Sequence, residues 1–233
     1  MLTSKKEPGY PEDFKGLLPL AVQAELLKKI CNKLGMDIDI STIPSLEEKS
    51  RAAPLPSGAE GWAVVLRPGL VESRPDVWLS IELLREGVSE KIDNRIPCAH
   101  EAAGHFRCSA RTAEMMERLS ITQPQGDVVV IPVQLGRKNA KASDADVLKE
   151  LSENEFGLSF LSAASVLAVH PERIGGWFDL GMSFPGEEVD YDADGRYART
   201  LLVKTNQGAL TLMHFPPELT WMNDHGAATG FVW

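Results

Sequence analysis

The sequence predicts an α+β fold in which helices pack on a mixed sheet and the chain ends in an antiparallel β-meander. Three observations predict it. Apolar residues recur at helical spacing in several segments before residue 170, strand-like segments interrupt them, and three strand-like segments follow one another near the C-terminus. Helices and strands do not alternate regularly, which favours α+β over a succession of βαβ units.

The first 61 residues predict a helix followed by a connection. Leu20, Leu27 and Leu34 recur at helical spacing, and Gly35 is typical of a helix end. Residues 41–61 hold three prolines and two glycines, with room for one helical turn at Leu46–Arg51. The predicted organisation is an N-terminal helical extension (1–40), a linker (41–61) and a single α+β domain (62–233).

The middle of the chain predicts two strands and two helices. Residues 61–69 read as a strand, and a helix starts at Asp76. A second helix is expected over roughly Ala99–Leu119. Asp127–Leu135 is the best buried strand, although its Pro132 favours an edge or a bulge over a fully paired position.

The last 90 residues predict two helices and the terminal meander. A short helix follows the polar loop after residue 135, and a buried helix ends at His170, because a residue before proline avoids the helical region. The predicted strands are "GWFDLGMSF", "YARTLLVKT" and "ALTLMHF", with a hairpin turn at 206–208.

The formal net charge of −9 lies almost wholly in the last third of the chain. Residues 146–233 carry 5 basic and 13 acidic side chains, whereas the two preceding thirds are nearly balanced. Such a surface repels phosphate backbones, so nucleic-acid binding is disfavoured and a basic protein or a cation is the better partner.

The segment "IPCAHEAAGHFRC" is the first candidate for a metal site, because Cys98, His100, His105 and Cys108 could ligate zinc. A zinc-peptidase helix needs its two histidines four residues apart, and here they are five apart. On a continuous helix the two rings would point about 140° apart, which excludes a shared ion. The alternative is a loop over 98–108, with the helix starting at Ser109 as its N-cap; that loop could gather all four ligands.

The acidic stretch "GEEVDYDADG" is the second candidate. Asp190, Asp192 and Asp194 match the first, third and fifth positions of a calcium loop, but Leu201 stands where a bidentate Glu is needed. The alternative is a strand with one acidic face, followed by a hairpin turn at "DADG".

No nucleotide-binding loop or hydrolase nucleophile elbow is present. We therefore expect a non-catalytic, acidic accessory or protein-interaction module without a cofactor. Its expected binding residues are Glu187, Asp190, Asp192, Asp194, Trp221 and Trp233. The alternative is a zinc- or calcium-dependent hydrolase that uses one of the two candidate sites, with a histidine such as His225 nearby.

The cysteine content and apolar runs bear on location. Three cysteines do not make a disulfide framework, and the longest apolar run, Phe160–Val169, is about half the length of a membrane span. We expect a cytoplasmic protein without a membrane segment. The sequence does not indicate an oligomeric state.

Overall fold

The computed structural model describes residues 9–71, 75–88, 106–176, 179–192, 194–206, 209–219 and 225–233. Its helices are α1 (Leu20–Lys33), α2 (Ile43–Ala52), α3 (Asp76–Val88), α4 (Ala110–Thr122), α5 (Asp144–Glu150) and α6 (Phe160–Val169). Its strands are β1 (Gly61–Leu66), β2 (Phe106–Cys108), β3 (Val128–Gln134), β4 (Glu155–Gly157), β5 (Gly181–Val189), β6 (Arg199–Asn206), β7 (Ala209–Phe215), β8 (His225–Ala227) and β9 (Thr229–Phe231).

The strands form two sheets, and the α+β prediction is confirmed. The first sheet has the antiparallel order β1-β3-β9-β4. The second has the order β2-β5-β6-β7, with β8 parallel to β5. Strands β5, β6 and β7 form the predicted antiparallel meander, in which Asn206 pairs with Ala209 across the hairpin.

Helix α6 is the centre of the core. Every residue of α6 is buried, because it packs against α1, α3, β1 and β5. Leu20, Leu27 and Cys31 of α1 belong to the same apolar cluster as the strands. The division at residues 40 and 61 stays a prediction, and a ten-residue helix, α2, stands where the sequence indicates a single turn.

The helix predicted over Ala99–Leu119 is wrong at Phe106–Cys108, and its residues 99–105 lie outside the described residues. Phe106–Cys108 form a strand whose residues pair with Val189, Glu188 and Glu187 of β5. The helix begins at Ala110, and the Ser109 side chain caps it by accepting the Thr112 N–H. The alternative start at Ser109 is therefore the one observed. Its physical reason is pairing with a distant strand, which outweighs local helical spacing.

Strand β3 lies inside its sheet, yet Pro132 has a neighbour on one side only. Pro132 pairs with Trp62 of β1, whereas β9 pairs with only Val133 and Gln134. Further along this open side of β3, the Gln123 side chain forms the hydrogen bonds that a neighbouring strand would otherwise form. Its amide accepts the Val130 N–H at 2.9 Å and donates to the Val130 carbonyl at 2.7 Å.

We expect Gln123→Leu to lower the free energy of unfolding by about 2–3 kcal/mol, because it leaves the buried Val130 N–H unpaired. Gln125→Leu is the matched control, since that side chain is exposed. Urea unfolding of both variants measures the difference. Equal stabilities would contradict the capping role of Gln123.

Candidate ligand-binding cleft

The acidic stretch is not a strand with one acidic face. Strand β5 ends at Val189, and Asp190 is buried at the start of the turn that follows. Its two carboxylate oxygens accept the N–H groups of Asp194 and Gly195. Asp190 therefore holds the turn together, where the alternation of the sequence predicts an exposed acid.

The other acidic candidates divide into buried and exposed groups. Glu187 is buried and accepts the N–H of Phe160 at the start of α6. Asp192 and Asp194 are exposed, and Asp194 pairs with Arg196 at 3.0 Å. In the part of the chain that the structure describes, no three His, Cys, Asp or Glu side chains are placed to hold a metal ion.

The zinc candidates lie mostly beyond the described residues. Cys98, His100 and His105 are outside them, so the predicted separation of the two histidine rings is not tested. Cys108 is described and exposed. The atoms packed around its thiol raise the pKa of Cys108 to about 12, and the carboxylates of Glu187, Asp76 and Glu188 act in the same direction. With this pKa the free thiol stays protonated at neutral pH, and a protonated thiol is a poor nucleophile.

Of the two tryptophan candidates, Trp221 lies outside the described residues. Trp233 packs edge-on against Trp62 at 4.4 Å and donates its indole N–H to the Val130 carbonyl. It thus fastens the C-terminus to the first sheet. His225 is buried in β8, with its ring against Phe215.

One cavity in the described residues is a cleft that the sequence does not reveal. Its volume is about 390 Å³, within the range of small-molecule sites. The segment before α1 contributes most of its wall, and three residues near the ends of β1 and β3 complete it. The lining residues are Tyr10, Phe14, Lys15, Gly16, Leu17, Glu60, Leu135 and Arg137.

Two guanidinium groups stack on one aromatic ring at this cleft. The guanidinium carbons of Arg137 and Arg173 each lie 4.1 Å from the centre of the Tyr10 ring. The Tyr10 hydroxyl donates to Glu60 Oε1 at 2.6 Å and accepts the backbone N–H of Arg137 at 3.1 Å. Glu60 Oε1 also accepts the Leu135 N–H, so one carboxylate links the ring to β3.

Arg173 forms the buried side of this stack. It is 2% exposed, and its terminal nitrogens donate to the carbonyl oxygens of Leu180 and Leu135. Its Nε lacks a hydrogen-bond partner among the described residues. Burial lowers the pKa of Arg173, and the neighbouring Tyr10 and the Glu60 carboxylate oppose that shift.

The segment before α1 is fastened at several points. Gly9 accepts the Leu180 N–H, and the Leu18 N–H points at Nε2 of the buried His170. The Phe14 ring packs edge-on against both Tyr10 and His170. These contacts fix the cleft wall without any regular secondary structure.

The cleft is locally cationic in an acidic protein. Arg137 and Lys15 are exposed at its rim, and Glu60 is the one acid among its lining residues. Among the described residues, none accepts a hydrogen bond from the Arg137 guanidinium. Arg137 lines the cleft with an exposed guanidinium, so its donors are available to a ligand there, and guanidinium is well suited to bind carboxylate or phosphate.

The structure thus shows an α+β fold with a cleft beside Tyr10. No protein-family model matches the chain, and neither the curated proteins nor the solved structures contain a match. The helices in the described part of the chain include none that is both long and apolar enough to cross a bilayer.

Proposed function

We propose that the protein is a non-catalytic binding module that takes a small anionic molecule with an apolar body into the cleft beside Tyr10. The observation that supports this most directly is the exposed Arg137 guanidinium, which stacks on Tyr10 while its N–H groups have no described acceptor. A guanidinium held in this way is preorganised, so little side-chain entropy is lost when an anion binds.

The walls match the remainder of such a ligand. Phe14 and Leu17 supply apolar surface, and Lys15 adds a second positive charge at the rim. Glu60 carries one negative charge here, and the positive charges of Arg137, Lys15 and Arg173 outnumber it. An anion at the rim and an apolar group against Phe14 would use both features of the cleft.

The expected acidic interaction surface has less support. Glu187 and Asp190 are buried and bound to backbone N–H groups, so they offer a partner little charge. Asp192 and Asp194 remain exposed. Binding of a basic protein through this stretch stays a prediction for those two residues, and the geometry favours the cleft.

We expect phenyl phosphate to shift the backbone amide NMR signals of Gly16, Leu135 and Arg137 in a saturable way. Arg137→Glu should weaken this binding about tenfold or more, because a charge-assisted hydrogen bond contributes about 1.5–3 kcal/mol. The control is Arg51→Glu, which changes the net charge equally at an exposed position on α2.

Two further probes separate the parts of the proposal. Inorganic phosphate tests the anion site alone, and benzyl alcohol tests the apolar wall alone. Phe14→Ala should weaken phenyl phosphate more than inorganic phosphate. Equal binding to wild type and Arg137→Glu would contradict the proposal, as would signal shifts confined to residues away from the cleft.

A further inference from the structure

Among the described residues, side chains cover the edges of the first sheet, and the second sheet provides an exception. On β1, the Gln23 side chain donates to the Trp62 carbonyl and accepts the Val64 N–H, and Ser165 accepts the Leu66 N–H. At the opposite edge, Arg111 and Thr112 of α4 donate to the carbonyl oxygens of Glu155 and Gly157 in β4. The first sheet therefore offers few free backbone groups to another strand.

The exception is β7 in the second sheet. Strand β2, at the opposite edge, is only three residues long, whereas β7 has seven residues, each paired with β6 on one side. No described residue forms a hydrogen bond with the other side of β7. An open strand of this length is a template for pairing with another chain.

Strand β7 also lacks the features that usually protect an edge. Its sequence, "ALTLMHF", contains no Lys, Glu, Asp, Arg or Pro, and its pairing with β6 runs without a bulge from Thr200 and Phe215 to Asn206 and Ala209. Within a chain of net charge −9, an uncharged edge lets two copies approach at that strand without direct repulsion.

We propose that β7 pairs antiparallel with β7 of a second copy, which gives a two-fold dimer with a continuous sheet. Centred on Leu212, the symmetric register places Leu212 opposite its equivalent and Thr211 opposite Met213. It also places Leu210, which is buried in the core, opposite His214. A different protein is a poorer fit, because an uncharged edge without side-chain pockets has little with which to select a foreign sequence.

The symmetric register provides a charge test. The variant Thr211→Glu/Met213→Glu places Glu opposite Glu twice in the dimer, whereas Thr211→Glu/Met213→Lys places Glu opposite Lys twice. Thr211 pairs with Lys204 of β6 within one chain, so the common Glu meets a positive neighbour in both variants. The two variants differ at one position only.

In sedimentation velocity over a range of concentrations, we expect a wild-type dimer that Thr211→Glu/Met213→Lys retains. Thr211→Glu/Met213→Glu should weaken association at least about tenfold, since like charges directly opposite destabilise strand pairing. Circular dichroism checks that both variants are folded. A wild type that stays monomeric, or two variants that behave alike, would overturn the proposal.

Hydrogen exchange of the wild-type protein provides a second measurement that needs no variant. The outward amides of β7 should exchange more slowly in concentrated than in dilute protein. Equal exchange at both concentrations, in a protein that forms dimers, would place the interface elsewhere and overturn the proposal.

Discussion

Gly186→Ala is expected to lower the free energy of unfolding by about 3 kcal/mol or more, because there is no space for a side chain where the two sheets touch. A Cβ at this position would collide with the carbonyl oxygen of Gly157 and come within 2.7 Å of the backbone carbonyl carbon of Leu158. All of these atoms belong to backbone, which moves less readily than a side chain.

The backbone at Gly186 is held on both sides. Its N–H donates to the Leu158 carbonyl, and its carbonyl accepts the N–H of Ser109 at the start of α4. The pairing of β5 with β6 also shifts register between Phe184 and Val189, so the strand bends at this point. Moving Gly186 to make room for a methyl group would break one of these hydrogen bonds.

Gly9→Ala is the control for this substitution. No described atom lies within 4 Å of a Cβ at Gly9, and its backbone is not in the left-handed region. Thermal and urea unfolding of both variants measure the effect. A Gly186→Ala protein as stable as Gly9→Ala would show that the two sheets are not in close contact here.

The meander shows how much of this fold local sequence can predict. The segment "ALTLMHF" coincides with β7, because its apolar residues and the turn before it specify a hairpin over a few positions. Strand β2 is different, since its three residues are extended only where they meet β5, some 80 positions later in the chain. Helical spacing around Ala102 and Met116 hides that long-range pairing.

The candidate cleft was beyond sequence reasoning for a related reason. Tyr10, Glu60, Arg137 and Arg173 come from four distant segments, and none of them belongs to a recognisable motif. In the acidic stretch, by contrast, the sequence pattern predicts the wrong environment for Asp190. Its alternating acids predict exposure, whereas Asp190 is turned inward to bind backbone N–H groups.

Two buried carboxyl groups are expected to make the protein less stable as the pH rises from about 4 to 7. The pKa of Glu187 is raised from 4.5 to about 7, chiefly by burial and also by the negative charges of Asp76 and Glu188, while the Phe160 N–H acts to lower it. Burial likewise raises the pKa of Asp144 to about 6, and the hydroxyls of Ser183 and Thr200 limit that rise.

The direction of this change in stability with pH follows from proton linkage. Between the unfolded and the folded pKa of each group, the folded chain holds a proton that the unfolded chain has lost, so the folded state binds more protons and stability falls as pH rises. Each group contributes at most on the order of 3 kcal/mol, at about 1.4 kcal/mol per pKa unit. Above about pH 7 to 8 both groups are ionised in both states, and their contribution no longer changes.

Glu187→Gln and Asp144→Asn should each make stability depend less steeply on pH, and each should raise the melting temperature at pH 8 relative to wild type. The Gln side chain can still accept the Phe160 N–H, so the helix contact survives. Glu48→Gln is the control, because that carboxylate is exposed on α2, far along the chain from both buried groups. Melting temperatures between pH 5 and 8 decide the matter: a slope that Glu187→Gln leaves unchanged would mean that Glu187 is ionised throughout this range.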